Sequence, residues 1–189
     1  MIRTLVALIV LTTLGCFGNP DAAPEEDLMP GTTRRMPAEW EPQAAVWLQW
    51  PQAWEGAAVE DSFVDIVLAI AEFEDVHLLA TDGSTESSGR ARLGDLPGVT
   101  WHRIGNDSSW MRDNGPRYVE VDGELIAQDW GFDAWGGGFG DVPYDQDNAV
   151  PAAVADTLGL ELESVGLVHE RGDLEVNGVD TAMVNWSVI

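Results

Sequence analysis

Residues 106–116 read NDSSWMRDNGP. In a chain with a net charge of −24, nine Lys and Arg stand against 33 Asp and Glu. Yet this stretch gathers Trp110, Arg112 and Asp113 between a polar turn and a Gly-Pro stop. A carboxylate beside an indole is a receptor for a planar cation, because the carboxylate accepts two parallel N–H bonds while the ring face attracts positive charge. Trp110 and Asp113 are three positions apart, so they share a face only if the backbone turns helically there. The same pair also reads as a core residue followed by a helix cap, and spacing alone leaves both readings open.

On either side of this stretch the pattern alternates between helix and strand, which predicts an α/β fold. Val46-Trp47-Leu48-Gln49-Trp50 reads as a short buried strand ended by Pro51. Asp61 to Phe73 places Phe63, Ile66, Val67 and Ile70 at helical spacing, predicting a helix with one inward apolar face. VHLLAT at 76–81 and GVTWHRI at 98–104 read as strands, with a Gly/Ser-rich connection that holds at most a helical turn. RYVEV and ELIAQDW flank Asp122-Gly123, a dipeptide suited to a tight hairpin. NAVPAAVADTLG at 148–159 predicts a short helix with Pro151 in its first turn and Gly159 past its end. A second hairpin is expected at Asn177-Gly178, and the chain stops at Ile189 inside a predicted strand, as a truncated product would.

With 189 residues, 45% of them hydrophobic and 8% aromatic, the chain can bury one ordinary core. Phosphate binding requires clustered cations, which are missing, so nucleic acid is not an expected partner. The acidity welcomes a cationic ligand, but a solvated acidic surface is its main reading, so the charge alone identifies nothing. Residues 1–15 carry Arg3, an apolar run from Leu5 to Leu11 and small residues before Cys16, the pattern of an export signal too short to span a membrane. The ending Leu14-Gly15-Cys16 resembles a bacterial lipoprotein box, which would make Cys16 a lipidation site on an exported, membrane-anchored protein; a plain secretory signal is the other reading. Residues 16–35, rich in Pro, Gly, Ala and acid, read as a tether, and the folded domain is expected over 36–189.

NDSSWMRDNGPRYV resembles the signature of the agmatine deiminase and bacterial-type peptidylarginine deiminase family, guanidine hydrolases of the pentein fold. The resemblance extends to MPAEWEP with WLQWP, to GFDAWGG followed by YDQDNAVP, and to ERGDLEVNG, four blocks in order from Met36 to Ile189. It implies a partial pentein β/α propeller, about two to three αββαβ-type modules of five, covering the N-terminal half of such a domain. It also implies hydrolytic deimination of a guanidinium, either agmatine or peptidyl arginine. In that chemistry a cysteine thiolate attacks the guanidinium carbon, ammonia leaves, and water hydrolyses the thiouronium.

Carried over residue by residue, Asp113 is implied as the catalytic carboxylate gripping the guanidinium, Trp110 as a ring lining the pocket, and Glu170 as a further substrate contact. Arg112 is expected to fix the loop or a neighbouring carboxylate, since a cation facing a cationic substrate repels it. Arg171 departs from the pattern, standing where the family has glycine. The family's His-x-Asp pair and nucleophilic cysteine lie further along than Ile189, which makes this chain an expected inactive fragment. Of the three histidines, His77 and His102 sit in predicted strands, and His169 adjoins Glu170. Each reads first as a structural histidine. Asp141, Asp145 and Asp147 suggest a calcium loop but lack its glycine and distal glutamate, so neither metal nor cofactor is expected. The contrasting reading is a non-catalytic surface module whose nine tryptophans bind a cationic or sugar ligand.

Overall fold

The computed structural model describes residues 31–137, 140 and 142–185. The export signal, Cys16 and most of the tether lie outside the described residues, as do Asp141 and the terminal WSVI. The tether reading ends too late: Arg34–Arg35 forms strand β1, antiparallel to Arg117–Val121 (β5). Arg35 is held there by the carboxylates of Glu41 and Glu120, at 2.6 and 2.7 Å.

The first layer is a parallel sheet of Val46–Gln49 (β2), Val76–Ala80 (β3) and Val99–Arg103 (β4). Its crossovers are helices α1, Ala57–Ile70, and α2, Gly83–Leu93. Both faces are covered, as parallel sheets require, and this is why β3 is nearly continuous in apolar residues. On one face Trp50, Val67, Val76, Leu78 and Leu93 form a buried core with Phe63 and Ile70 against it. Ile66, expected inside, is exposed, because the core stripe of α1 is narrower than its apolar content.

Helix α2 was legible in the sequence only as a turn, since GSTESSGRARL has no apolar period. Local bonds form it instead. Asp82 Oδ1 accepts from the Thr85 N–H at 2.8 Å, and Arg90 pairs with Glu86 one turn earlier. Gly89 lets the helix rest on two indoles, since a methyl group at this position would collide with the Trp101 ring and press on Trp50.

The second layer orders its strands β1-β5-β6-β7, with Glu124–Gly131 as β6 and Leu162–Val168 as β7. Asp122 and Gly123, at φ of 50° and 87°, make the β5–β6 turn. A one-turn segment, Ala134–Gly137 (α4), follows β6. Helix α5, Asp145–Leu158, then crosses to β7, which runs parallel to β6. It begins three residues earlier than predicted, so Pro151 lies inside it rather than in its first turn. Because proline has no N–H, the Asp147 carbonyl loses its intrahelical donor. Val150 and Val154 of α5 pack on Leu79 together with Trp47, Ile104 and Met111, so the helix also covers the second face of the first sheet. The last hairpin pairs Glu175–Val176 (β8) with Ala182–Met183 (β9). Its turn is longer than the two residues expected, because Asn177 Oδ1 accepts from the N–H groups of Val179, Asp180 and Thr181.

The two strand histidines bond to each other, His77 Nδ1 to His102 Nε2 at 2.7 Å, and both rings stack on Trp47.

Candidate active site

The polar half of the opening stretch is a hydrogen-bonded knot. Asp147, on the first turn of α5, is fully buried, and its carboxylate accepts from the N–H groups of Asp107 and Ser108, from Ser108 Oγ at 2.6 Å and from Gln49 Nε2 at 3.0 Å. Asp107 in turn accepts from Gln146 through backbone and side chain, and Glu55 Oε1 takes the N–H and hydroxyl of Ser109. These bonds use the oxygens that a cation would need, and among the described residues no cluster of three metal-binding side chains occurs. The knot fixes where the chain emerges as Trp110 and the single-turn helix Met111–Asn114 (α3).

Trp110 precedes that turn and is half exposed. It stands edge-on to Trp135, with centroids 5.7 Å apart, and Trp135 is edge-on to Phe132. With Trp54 and Tyr144 these rings wall a cavity of about 100 Å3 that reaches Ser108 and Asp147. Its far wall is α4, where Ala134 and Trp135 hold φ of 55° and 57° and the two glycines after them are left-handed as well. Such a conformation costs roughly 1–2 kcal/mol per non-glycine residue. Asp133 helps to hold it by accepting the Gly136 N–H at 2.7 Å.

Asp113 is not among the residues that line that cavity. The carboxylate turns to the segment after β7. There Arg171–Asp173 makes a short 3-10 turn, Glu170 is buried, and Gly172 lies against the Asp113 carboxylate. Gly172 is required by this approach, since any side chain at 172 would collide with Asp113 Oδ1. Burial and the facing Glu170 carboxylate hold the Asp113 carboxyl above the ordinary range, against the pull of Arg112 and the Gly172 N–H.

The cations around this pair point elsewhere. Arg112 reaches outward to Glu39 and, at 2.8 Å, to Glu175. Arg171, only 1% exposed, donates to the backbone carbonyls of Trp130 and Asp113, the latter at 3.3 Å, and lies 3.7 Å from an Asp129 oxygen. Burial lowers its pKa to about 10. Arg117, also brought down to about 10 by burial, donates to the Leu174 carbonyl at 3.4 Å. No hydrogen bond reaches the Glu170 carboxylate from the described residues. His169 is buried edge-on to Trp130, its Nε2 3.5 Å from Asp173 without a formed hydrogen bond.

The structure thus brings Asp113 and Glu170 together, places Trp110 on an adjoining aromatic cavity, and sets His169 beneath Trp130. Sequence reasoning missed the inward turn of Arg171 and the half-buried Arg117. It also missed the other cavity rings, which GFDAWGG and YDQDNAVP carry as unpatterned aromatics.

Comparison with known proteins identifies the family. Residues 35–189 match the Porphyromonas-type peptidyl-arginine deiminases. The agmatine deiminase of Pseudomonas putida is 37% identical over 157 residues, which are 78% of this chain and 42% of that protein. The agmatine deiminase of Pseudomonas aeruginosa is 36% identical over 179 residues, covering 87% and 45%. A solved agmatine deiminase of Enterococcus faecalis superimposes with a TM-score of 0.72 at 31% identity, over 79% of this chain and 42% of that one. The chain therefore spans less than half the length of these relatives, and its fold is a partial pentein β/α propeller, as the motifs implied. A match that runs from the edge strand through both carboxylates to the last described hairpin leaves one assignment: the chain belongs to the Porphyromonas-type peptidyl-arginine deiminase family.

Proposed function

We propose that this chain carries the guanidinium-gripping part of a guanidine deiminase and that agmatine is its first candidate substrate, with peptidyl arginine second. The observation that carries the proposal is the pair Asp113 and Glu170: two carboxylates side by side, one half-buried and one buried, with every nearby arginine directed to other acceptors. Like charges brought together out of water are unfavourable unless a cation joins them. A planar guanidinium supplies that cation and can offer paired N–H donors to each carboxylate. Held rigidly, its central carbon faces attack in one orientation, which removes much of the entropic barrier to the reaction. Deimination replaces one C–N bond by a carbonyl whose oxygen comes from water, and ammonia leaves. In this reading Asp113 and Glu170 bind and orient the guanidinium. The aromatic cavity reached from Trp110 offers apolar walls and π faces to the rest of a substrate.

Isothermal titration calorimetry of the full chain with agmatine tests this. Binding is expected to be competed by guanidinium chloride and weakened roughly 10- to 150-fold by Asp113→Asn, the value of one charge-assisted bond pair. An Asp113→Asn chain that binds agmatine as well as the parent would reject the assignment. Ammonia release from agmatine separates turnover from binding alone, and binding of a sugar or a non-guanidine cation in its place would favour the surface-module reading.

For location, we propose export with a lipid on Cys16. Intact-mass measurement on membrane-fraction protein is expected to show a diacylglyceryl addition that Cys16→Ser abolishes; an unmodified chain in the soluble fraction would refute it.

A further inference from the structure

We infer that Arg171 is a positioning residue, whose buried guanidinium, forked onto the carbonyls of Asp113 and Trp130, holds the α3 turn so that the Asp113 carboxylate stands open beside Glu170. The inference rests on reading those two carboxylates as the guanidinium receptor.

Position 171 lies between two residues of the site. Glu170 precedes it, and Gly172 follows it, packed so closely on Asp113 Oδ1 that a Cβ at 172 would collide with it. The side chain at 171 therefore grips the backbone of the residue whose carboxylate the next residue packs against. Its other branch takes the carbonyl of Trp130 at the end of β6, one residue before the bulge against β7 and a few before the left-handed turn of the cavity wall. One planar fork thus ties together the three segments that bear Asp113, Glu170 and the aromatic wall.

Chemistry explains why the tie is an arginine on carbonyls. The fork reaches two acceptors at a fixed angle, whereas a lysine ammonium reaches as a single point. Because the acceptors are carbonyls, the carboxylates keep their charge for a ligand, although the guanidinium belongs to the residue after Glu170 and bonds the Asp113 carbonyl.

As a purely stabilising device the arrangement is poor. The guanidinium is almost wholly buried, its Nε finds no acceptor among the described residues, and the closest carboxylate, Asp129, stands 3.7 Å away. Apolar replacements of buried charged groups are often neutral or stabilising. The two roles therefore predict different outcomes.

The test uses the full chain with Arg171→Met and Arg171→Lys. Three readouts are taken: thermal melting, agmatine affinity by calorimetry, and the pH titration of the Asp113 carboxyl carbon by 13C NMR. The expected result is a melting temperature for Arg171→Met within a few degrees of the parent, or above it. Affinity is expected to fall tenfold or more in both variants, because neither restores the fork. Loosening the Gly172 N–H is expected to move the Asp113 titration to higher pH. Unchanged affinity together with an unchanged titration overturns the inference, as does a large drop in melting temperature with the Asp113 titration in place.

If the parent chain does not bind agmatine, the guanidinium reading fails, while the titration shift still decides whether Arg171 positions Asp113. Should both variants fail to fold, Asp129→Asn removes the flanking carboxylate and leaves both carbonyl acceptors in place. A smaller shift of the same sign is then expected, and no shift rejects the inference.

Discussion

At the scale of single residues, the chemistry is set by what surrounds each ionisable group. Asp113 titrates above its ordinary value because it is half-buried and faces Glu170. Its folded pKa is raised, so the folded state favours the protonated form. Its contribution to stability is therefore full below the unfolded pKa near 3.8 and falls as pH rises through the raised value. Guanidinium binding needs the ionised form and has the opposite trend, weakening as pH falls through that value. A bound guanidinium pulls the carboxyl back down, so agmatine is expected to release protons near the raised pKa. Calorimetry in buffers of different ionisation enthalpy would detect this, and a buffer-independent heat would contradict it. His77 and His102 respond differently. Burial lowers both, and His102 is lowered further by His77. With folded values below the ordinary 6.5, the stability they contribute is complete above that pH and is lost as pH falls toward the lowered values. Two protonated rings cannot share the 2.7 Å N···N bond. His102→Gln is expected to flatten the fall in melting temperature between pH 7 and 5, and an unchanged pH profile would exclude the pair as its source.

At the scale of elements, legibility followed the period of the apolar residues. Strands β2, β3 and β4 and the Asp122-Gly123 hairpin were readable because alternation, apolar runs and positive-φ residues are local signals. Helix α2 was not, because caps and a glycine seat define it in place of an amphipathic stripe. That seat yields a prediction against propensity. Alanine favours a helix over glycine by about 1 kcal/mol, but a methyl group driven into the Trp101 ring overpacks the core by roughly 1–3 kcal/mol. Gly89→Ala is thus expected to lower the melting temperature, and a rise would show that the indoles can move aside. In the site, the motif pointed to Trp110, Asp113 and Glu170 as residues, but not to the aromatic cavity beside Trp110 or to the turn packed against Asp113. Side-chain direction at a one-turn helix depends on the segment packed against it, here Arg171–Asp173 from 58 residues later.

At the scale of the whole molecule, a net charge of −24 acts through its summed field. Self-repulsion opposes the compact state, while the same field draws cationic ligands inward. Salt screens both effects. Between about 50 and 500 mM sodium chloride the melting temperature is expected to rise while the agmatine association rate falls. A parallel change of the two would show that the field governs neither.

Helix α5 gives these scales a common support. Asp147 anchors the loop leading to Trp110, Asn148 Oδ1 accepts the Phe132 N–H at 2.7 Å, and Val150 and Val154 fill the space against the first sheet. One rod is keystone to both hearth and wall, so softening it by heat or denaturant must silence recognition and dissolve the architecture at a single midpoint.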